Sequence, residues 1–276
     1  MSKIIAIDAG HGMKTAGKRC LKSIDPNETK EWYLNDRIAD MLQEQLATYD
    51  CTVLRVDDTT GAKDISLSAR VKAANSANAD IYVSIHHNAG LSGRSGGGTV
   101  VYYCSSAAER PAQAKRLYDA VVGKTGLVGN RSSKVIKYGF YVVKNTKMPA
   151  FLIENGFMDS LDDVPIILTA AHAEKTAQGI LDFLVAELPL KKKGNQTQMS
   201  SAPATSSAAS TTAASSFGSA GAVGAKTHKV VSGDTLSAIA KKHGTTVAKI
   251  VTANMGKYPK IAPNHIVIGW MLTIPQ

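Results

Sequence analysis

Cysteine is scarce: Cys20, Cys51 and Cys104 are the only three in 276 residues, widely spaced and without a CxxC pair. So small and scattered a set excludes a disulfide framework and a cysteine-rich metal site, and fits reduced thiols in a product made in the cytoplasm. Long apolar runs are also lacking. The N-terminal MSKIIAIDAG reaches Asp8 after a very short apolar stretch, so neither a signal peptide nor a membrane-inserted helix is expected. A chain of this kind that acts outside a cell has to be let out by another agent. Aromatic residues make up 6%, and no aromatic platform or basic groove motif accompanies the lysines, which argues against nucleic acid as a partner.

Acidic residues are missing from one part of the chain. The net charge is +10, but residues 1–190 are close to neutral. The excess lies in Lys191, Lys192 and Lys193 and in residues 226–276, where seven lysines face Asp234 alone. A basic tail of this sort favours an anionic polymer. Between the two parts, residues 195–225 carry no charge and consist mostly of Ser, Ala, Thr and Gly. Such a stretch cannot bury enough apolar surface to offset its ordering entropy. It reads as a flexible linker with a reach of roughly 30 Å. The expected organisation is a domain over residues 1–190, a linker over 191–226 and a small domain over 227–276.

What the first part does have is alternation. Strands are expected at Ile4–Ile7, Thr52–Val56, Ile81–Ile85, Thr99–Tyr103, Phe140–Val143 and Pro149–Ile153. Helices are expected at Glu31–Leu46, Leu67–Asn78 with Ser66 as N-cap, Ala107–Val122 and Ala170–Ala186. This order predicts an α/β domain, a mostly parallel twisted sheet flanked by helices. Ligands in such sheets bind at the carboxyl ends of the strands. There the sequence puts Asp8-Ala9-Gly10-His11, His86-His87 and Glu154-Asn155-Gly156, with Glu28 and Glu31 near the start of the first helix. Two histidines, a carboxylate and an open position are the ligand set of a catalytic zinc site, and a further carboxylate beside it can act as general base. Strand alternation turns His86 and His87 to opposite faces, so only one can readily face a metal. For His87 a plain surface position is favoured, with a supporting role behind the metal ligands or a substrate-facing role as the alternative.

The segments IAIDAGHG, EWYLN, VSIHHNA and PAFLIENGFMDS, in that order and spacing, resemble the zinc-dependent N-acetylmuramoyl-L-alanine amidases of the Amidase_3 family over about residues 3–187. The resemblance implies that His11, Glu31 and His86 ligate one Zn2+ and that Glu154 is catalytic. It favours Glu31 over Glu28 because Leu34 and Asn35 follow at the family's spacing. The implied reaction is hydrolysis of the amide between the lactyl group of N-acetylmuramic acid and L-alanine in peptidoglycan. The run Gly129–Val135 is longer than the family's by about a residue, which removes the ground for assigning Arg131 to substrate. No extra helix of the kind that plugs the site in regulated members is present, which implies an enzyme active on release.

In the last 50 residues, Thr235 and Thr246 are placed to cap two short helices, and Met271–Ile274 reads as a closing strand, giving a βααβ unit. Its VVSGDTLSAIAKKHG and terminal LTIP resemble a LysM domain, a binder of N-acetylglucosamine-containing glycans. That implies a groove involving Gly233, Asp234, Thr235 and Leu236, with the region after Met255. The familiar Pro-Gly before the last strand is replaced by Val267-Ile268-Gly269-Trp270. The combined expectation is a monomeric peptidoglycan amidase tethered to the wall, a host-lysis endolysin. A cell-wall autolysin, a zinc peptidase of the stem and a non-catalytic wall binder are the alternatives.

Overall fold

A computed structural model describes residues 2–193, 226–231, 234–254, 257–258, 261, 266 and 270–275. The chain forms two compact units, the first ending at Lys192 and the second beginning at Lys193. The segment read as a linker lies outside the described residues from 194 to 225, as do Gly233, Met255 and Val267-Ile268-Gly269. Among the described residues, no helix is long and apolar enough to cross a membrane.

The first unit contains β1 (Lys3–Ala9), α1 (Glu31–Leu46), β2 (Cys51–Arg55), α2 (Leu67–Ser76), β3 (Ile81–Asn88) and β4 (Thr99–Tyr103). It continues with α3 (Arg110–Thr125), β5 (Val135–Lys137), α4 (Tyr141–Asn145), β6 (Ala150–Phe157), α5 (Val164–Ile167) and α6 (Ala170–Glu187). The strands form one sheet in the order β2-β1-β3-β6-β4-β5. All neighbours are parallel except β4 and β6, which run antiparallel. The twofold period of a strand divides the core. Ile5, Ile7, Val83, Ile85, Phe151 and Ile153 face one side and pack with Ile38 and Leu42 of α1, Leu117 and Val121 of α3, and Ile180 and Leu184 of α6. Ala6, Tyr82 and Leu152 face the other and pack with Val71 and Ala74 of α2 and Val142 and Val143 of α4. Burying each large aliphatic side chain stabilises the fold by about 1.5–3 kcal/mol.

Two expectations change. Phe140–Val143 is not a strand: Tyr141–Asn145 is a short helix, and the edge strand is β5. A four-residue apolar run fits either element, and here Val142 and Val143 are buried against α2 rather than in a ladder. The helix expected from Ala107 begins instead at Arg110, with Pro111 in its first turn, and runs to Thr125. Gly126, at φ 72, ends it, a backbone state open to glycine at little cost.

The second unit contains β7 (Lys226–Lys229), α7 (Leu236–His243), α8 (Val247–Asn254) and β8 (Met271–Ile274), with β7 and β8 antiparallel. Val230, Leu236, Ile239, Ile250, Leu272 and Ile274 form its core. Thr235 Oγ1 accepts from the Ala238 amide at 3.1 Å, as an N-cap should. Buried Asn254 ties α8 to β8, donating to Thr273 O at 2.7 Å and accepting from the Thr273 amide at 2.8 Å.

Candidate metal centre and its cleft

The carboxyl ends of β1, β3 and β6 open into a cleft of about 510 Å³. Its floor holds Asp8, His11, His86 and Glu154. Ser66 and Leu67 line one side, Phe140 and Tyr141 another, and Lys18 also faces it.

His11 arrives through a tight turn after β1. Gly10 is required there, because a Cβ at that position would lie 2.1 Å from His86 Cε1. His11 itself takes a left-handed φ of 68°, a state that costs a non-glycine residue energy and needs outside support. Buried Arg70 of α2 supplies it. Its guanidinium donates to Ala9 O at 2.8 Å and His11 O at 3.0 Å, and also to the carboxylates of Asp8 and Asp64. Asp8 in turn accepts from Tyr82 Oη at 2.8 Å and Ser84 Oγ at 2.7 Å. Burial opposes the charge on Asp8, but Arg70 and the hydroxyl of Ser84 hold its carboxyl below the ordinary range.

Glu31 is the first residue of α1, and its side chain reaches back over the strand ends. Its Oε1 is 3.0 Å from His86 Nδ1 and accepts from the His87 amide at 3.2 Å. Its Oε2 is 3.2 Å from His11 Nε2, yet has no hydrogen-bond partner although buried. One ligand atom each from His11, Glu31 and His86 lie within 4.8 Å of one another. Burial works against ionisation of Glu31, but the two imidazoles hold its carboxyl well below its usual value.

Glu154 pairs in register with His86 across β3 and β6. Parallel neighbours in register point the same way, so both side chains face the cleft. Beyond them the register shifts, and Gly156, at φ 102, takes up the irregularity. Glu154 Oε2 is buried without a hydrogen-bond partner. Burial pushes its carboxyl up to about 7; neighbouring His86 pulls it down and Glu31 adds to the rise. A carboxyl near neutrality is suited to accepting and returning a proton.

The structure thus brings His11, Glu31, His86 and Glu154 together. Glu28 lies apart, paired with Arg19 at 3.0 Å. Arg131 stacks its guanidinium over Phe157 at 5.4 Å.

The surface position expected for His87 is wrong. Its side chain does leave the cleft face, as alternation requires, but the opposite face is covered by α1 and α6. His87 is 2% exposed. Its Nδ1 is 2.8 Å from Asn35 Oδ1, while Asn35 Nδ2 donates to Gly10 O at 3.1 Å. Burial and the nearby His172 keep its imidazole neutral, with a pKa well below the usual value.

Sequence reasoning missed Arg70, Asn35 and Lys18. Arg70 sits on a polar-looking helix and declares itself through its contacts with the distant Asp8, Ala9 and His11. Asn35 did carry a signal, its spacing from Glu31. In the second unit, Asp234 accepts from the Val231 amide at 2.9 Å and lies 2.7 Å from His228 Nε2, Thr235 caps α7, and Leu236 is core.

The family model for N-acetylmuramoyl-L-alanine amidase matches residues 5–186, and that for the LysM domain matches residues 228–275. An endolysin of Bacillus phage SPP1 is 31% identical over 195 residues, covering 70% of this chain and 69% of its own. The amidase LytC of Bacillus subtilis is 34% identical over 189 residues, covering 67% of this chain, which spans only 36% of that longer protein. Among solved structures, the catalytic domain of CwlV from Bacillus (Paenibacillus) polymyxa matches with a TM-score of 0.59 and 30% identity, over 68% of this chain and 99% of that one. An amidase from Clostridium difficile 630 matches with a TM-score of 0.60 and 27% identity, over 68% and 97%.

Proposed function

The chain belongs to the Amidase_3 family of N-acetylmuramoyl-L-alanine amidases and carries a LysM domain; from that premise we propose that it is a zinc hydrolase cutting the lactyl–L-alanine amide of peptidoglycan. The observation that carries the reading is the convergence of His11, Glu31 and His86 within 4.8 Å, with Glu154 in register beside His86.

The residues fit a zinc ion. Two imidazoles and a carboxylate are a catalytic zinc set. Glu31 Oε2 is a buried carboxylate oxygen with no hydrogen-bond partner, 3.2 Å from His11 Nε2 and 3.7 Å from the Lys18 ammonium, a position that a directly bound cation would satisfy. His11, Glu31 and His86 would hold the ion, which supplies Lewis acidity toward a carbonyl and toward water when bound.

The chain's own groups then divide the work. Glu154 takes a proton from the attacking water and delivers it to the departing nitrogen of L-alanine. The Arg70 brace fixes His11 so that the ligands need not reorganise. Asn35 and His87 hold the Gly10 turn from behind. LysM binding keeps the enzyme on its insoluble substrate and raises its effective concentration there. Asp234 and Thr235 belong to the glycan-binding loop in this reading, with Gly233 outside the described residues, whereas Leu236, expected there, is buried in the core as the first residue of α7. The host-lysis role rests on the similarity to the phage endolysin; the germination-specific amidase of Bacillus subtilis is matched over like shares, 64% of this chain and 76% of its own, so the extent of the match does not separate lysis from an autolysin role.

The test compares purified cell walls treated with the parent protein and with Glu154→Gln. Clearing by the parent with release of new alanine amino termini, absent in the variant, is expected. Equal clearing by both would remove Glu154 from the chemistry.

A further inference from the structure

Lys18 stands in the cleft without a part in the chemistry above. Its backbone is fixed: Lys18 O accepts from the Glu31 amide at 3.0 Å, and Arg19 bridges to Lys30 alongside. Its side chain runs into the cleft and is 45% exposed. The Nζ lies 3.7 Å from Glu31 Oε2, beyond hydrogen-bonding range, and no hydrogen bond engages it among the described residues. Arg70 also lines the cleft, but its side chain is buried and bound to Asp8, Asp64 and two carbonyls. Lys18 is therefore the cation there with donors available to an incoming group.

The reaction leaves L-alanine at the head of a peptide stem. The next residue of such a stem is a glutamate joined through its side-chain carboxyl, so its α-carboxylate stands free or is amidated. Two residues of extended chain span at most about 7 Å. With the scissile carbonyl at the His11–Glu31–His86 cluster, that carboxyl group falls within reach of an ammonium beside Glu31. A charge-assisted pair is roughly twice as strong as a neutral hydrogen bond, so Lys18 can tell acid from amide at this position.

We propose that Lys18 is a specificity residue that pairs with the free α-carboxylate of the stem's second residue and makes the enzyme prefer acidic over amidated stems. The proposal rests on the amidase reading of the site.

The experiment uses the full-length, zinc-loaded protein with N-acetylmuramoyl-L-alanyl-D-isoglutamate and its isoglutamine counterpart. The parent is expected to favour the acid about tenfold in kcat/KM, chiefly through KM. In Lys18→Met the ratio falls to about one, and Lys18→Arg, which keeps the charge, retains most of the preference. Binding of the product dipeptide L-alanyl-γ-D-glutamate to Glu154→Gln, read by calorimetry, weakens about tenfold when Lys18→Met is added. Equal loss on both substrates in Lys18→Met, or no preference in the parent, overturns the proposal. Cleavage of neither substrate by the parent overturns the amidase reading itself, and this inference with it.

Discussion

His86 and Glu154 are register partners on adjacent parallel strands, so the proposed metal ligand and the proposed proton carrier are set side by side by backbone pairing. Their separation is fixed by the sheet rather than by a loop, which is how a site holds reacting groups without reorganisation. Exchanging Glu154 for Gln keeps the shape and removes the proton acceptor. Turnover should fall by about 10²–10⁴ while zinc per chain stays unchanged, measured by metal analysis alongside hydrolysis.

The two histidines of VSIHHNA should separate cleanly. His86→Ala takes a ligand away, so zinc per chain drops. His87→Ala removes a buried imidazole held by Asn35, so it should lower stability by about 1–3 kcal/mol and leave zinc stoichiometry intact. Equal metal loss in both variants would contradict the division.

Gly10→Ala is a sterically sharper test. The added Cβ would meet three atoms of the His86 ring, Cε1 at 2.1 Å, Nε2 at 2.3 Å and Nδ1 at 2.5 Å, so the ligand ring itself has to move. Zinc affinity should fall steeply while the fold survives, read as metal retained after dialysis beside an unchanged far-ultraviolet spectrum.

His172 predicts a pH dependence of stability. Burial pushes its imidazole pKa down to about 4, and Arg37 adds to the shift. The unfolded chain takes up a proton near 6.5 that the folded chain refuses. The stability is therefore complete above pH 6.5 and is lost as pH falls toward 4, by up to about 3 kcal/mol. Denaturant unfolding across this window should show the slope, and His172→Gln should reduce it, the remainder coming from buried His87, whose imidazole is also held neutral.

Arg70→Met leaves Asp8 charged and buried beside Tyr82 and Ser84. Breaking a buried pair from one side costs about 3–5 kcal/mol, so the urea midpoint should fall markedly. A variant as stable as the parent would show that Arg70 is not what braces the His11 turn.

The alternation of strand and helix and the sheet edge were legible because each depends on local pattern, apolar runs ending in Asp, His or Glu at a strand terminus; Glu31, at a helix start, was singled out from Glu28 only by the family resemblance. The residues behind them were not. Whether the face opposite His86 is water or protein depends on where α1 and α6 pack, and nothing near His87 encodes it. Val142 and Val143 look the same in a strand or a helical turn until α2 is in place. Arg70 and Lys18 act through contacts with distant strands and helices that only the fold creates. In the second unit the caps at Thr235 and the strand at Met271–Ile274 were readable from sequence, since both are short-range.

The central claim is tested most directly by mass spectrometry of purified peptidoglycan digested by the full-length protein, with and without a zinc chelator. The account predicts glycan strands stripped of peptide, together with intact stems bearing a free L-alanine amino terminus, and no such products once the chelator is present. Cuts within the stem or the glycan, or unchanged products under chelation, would contradict it.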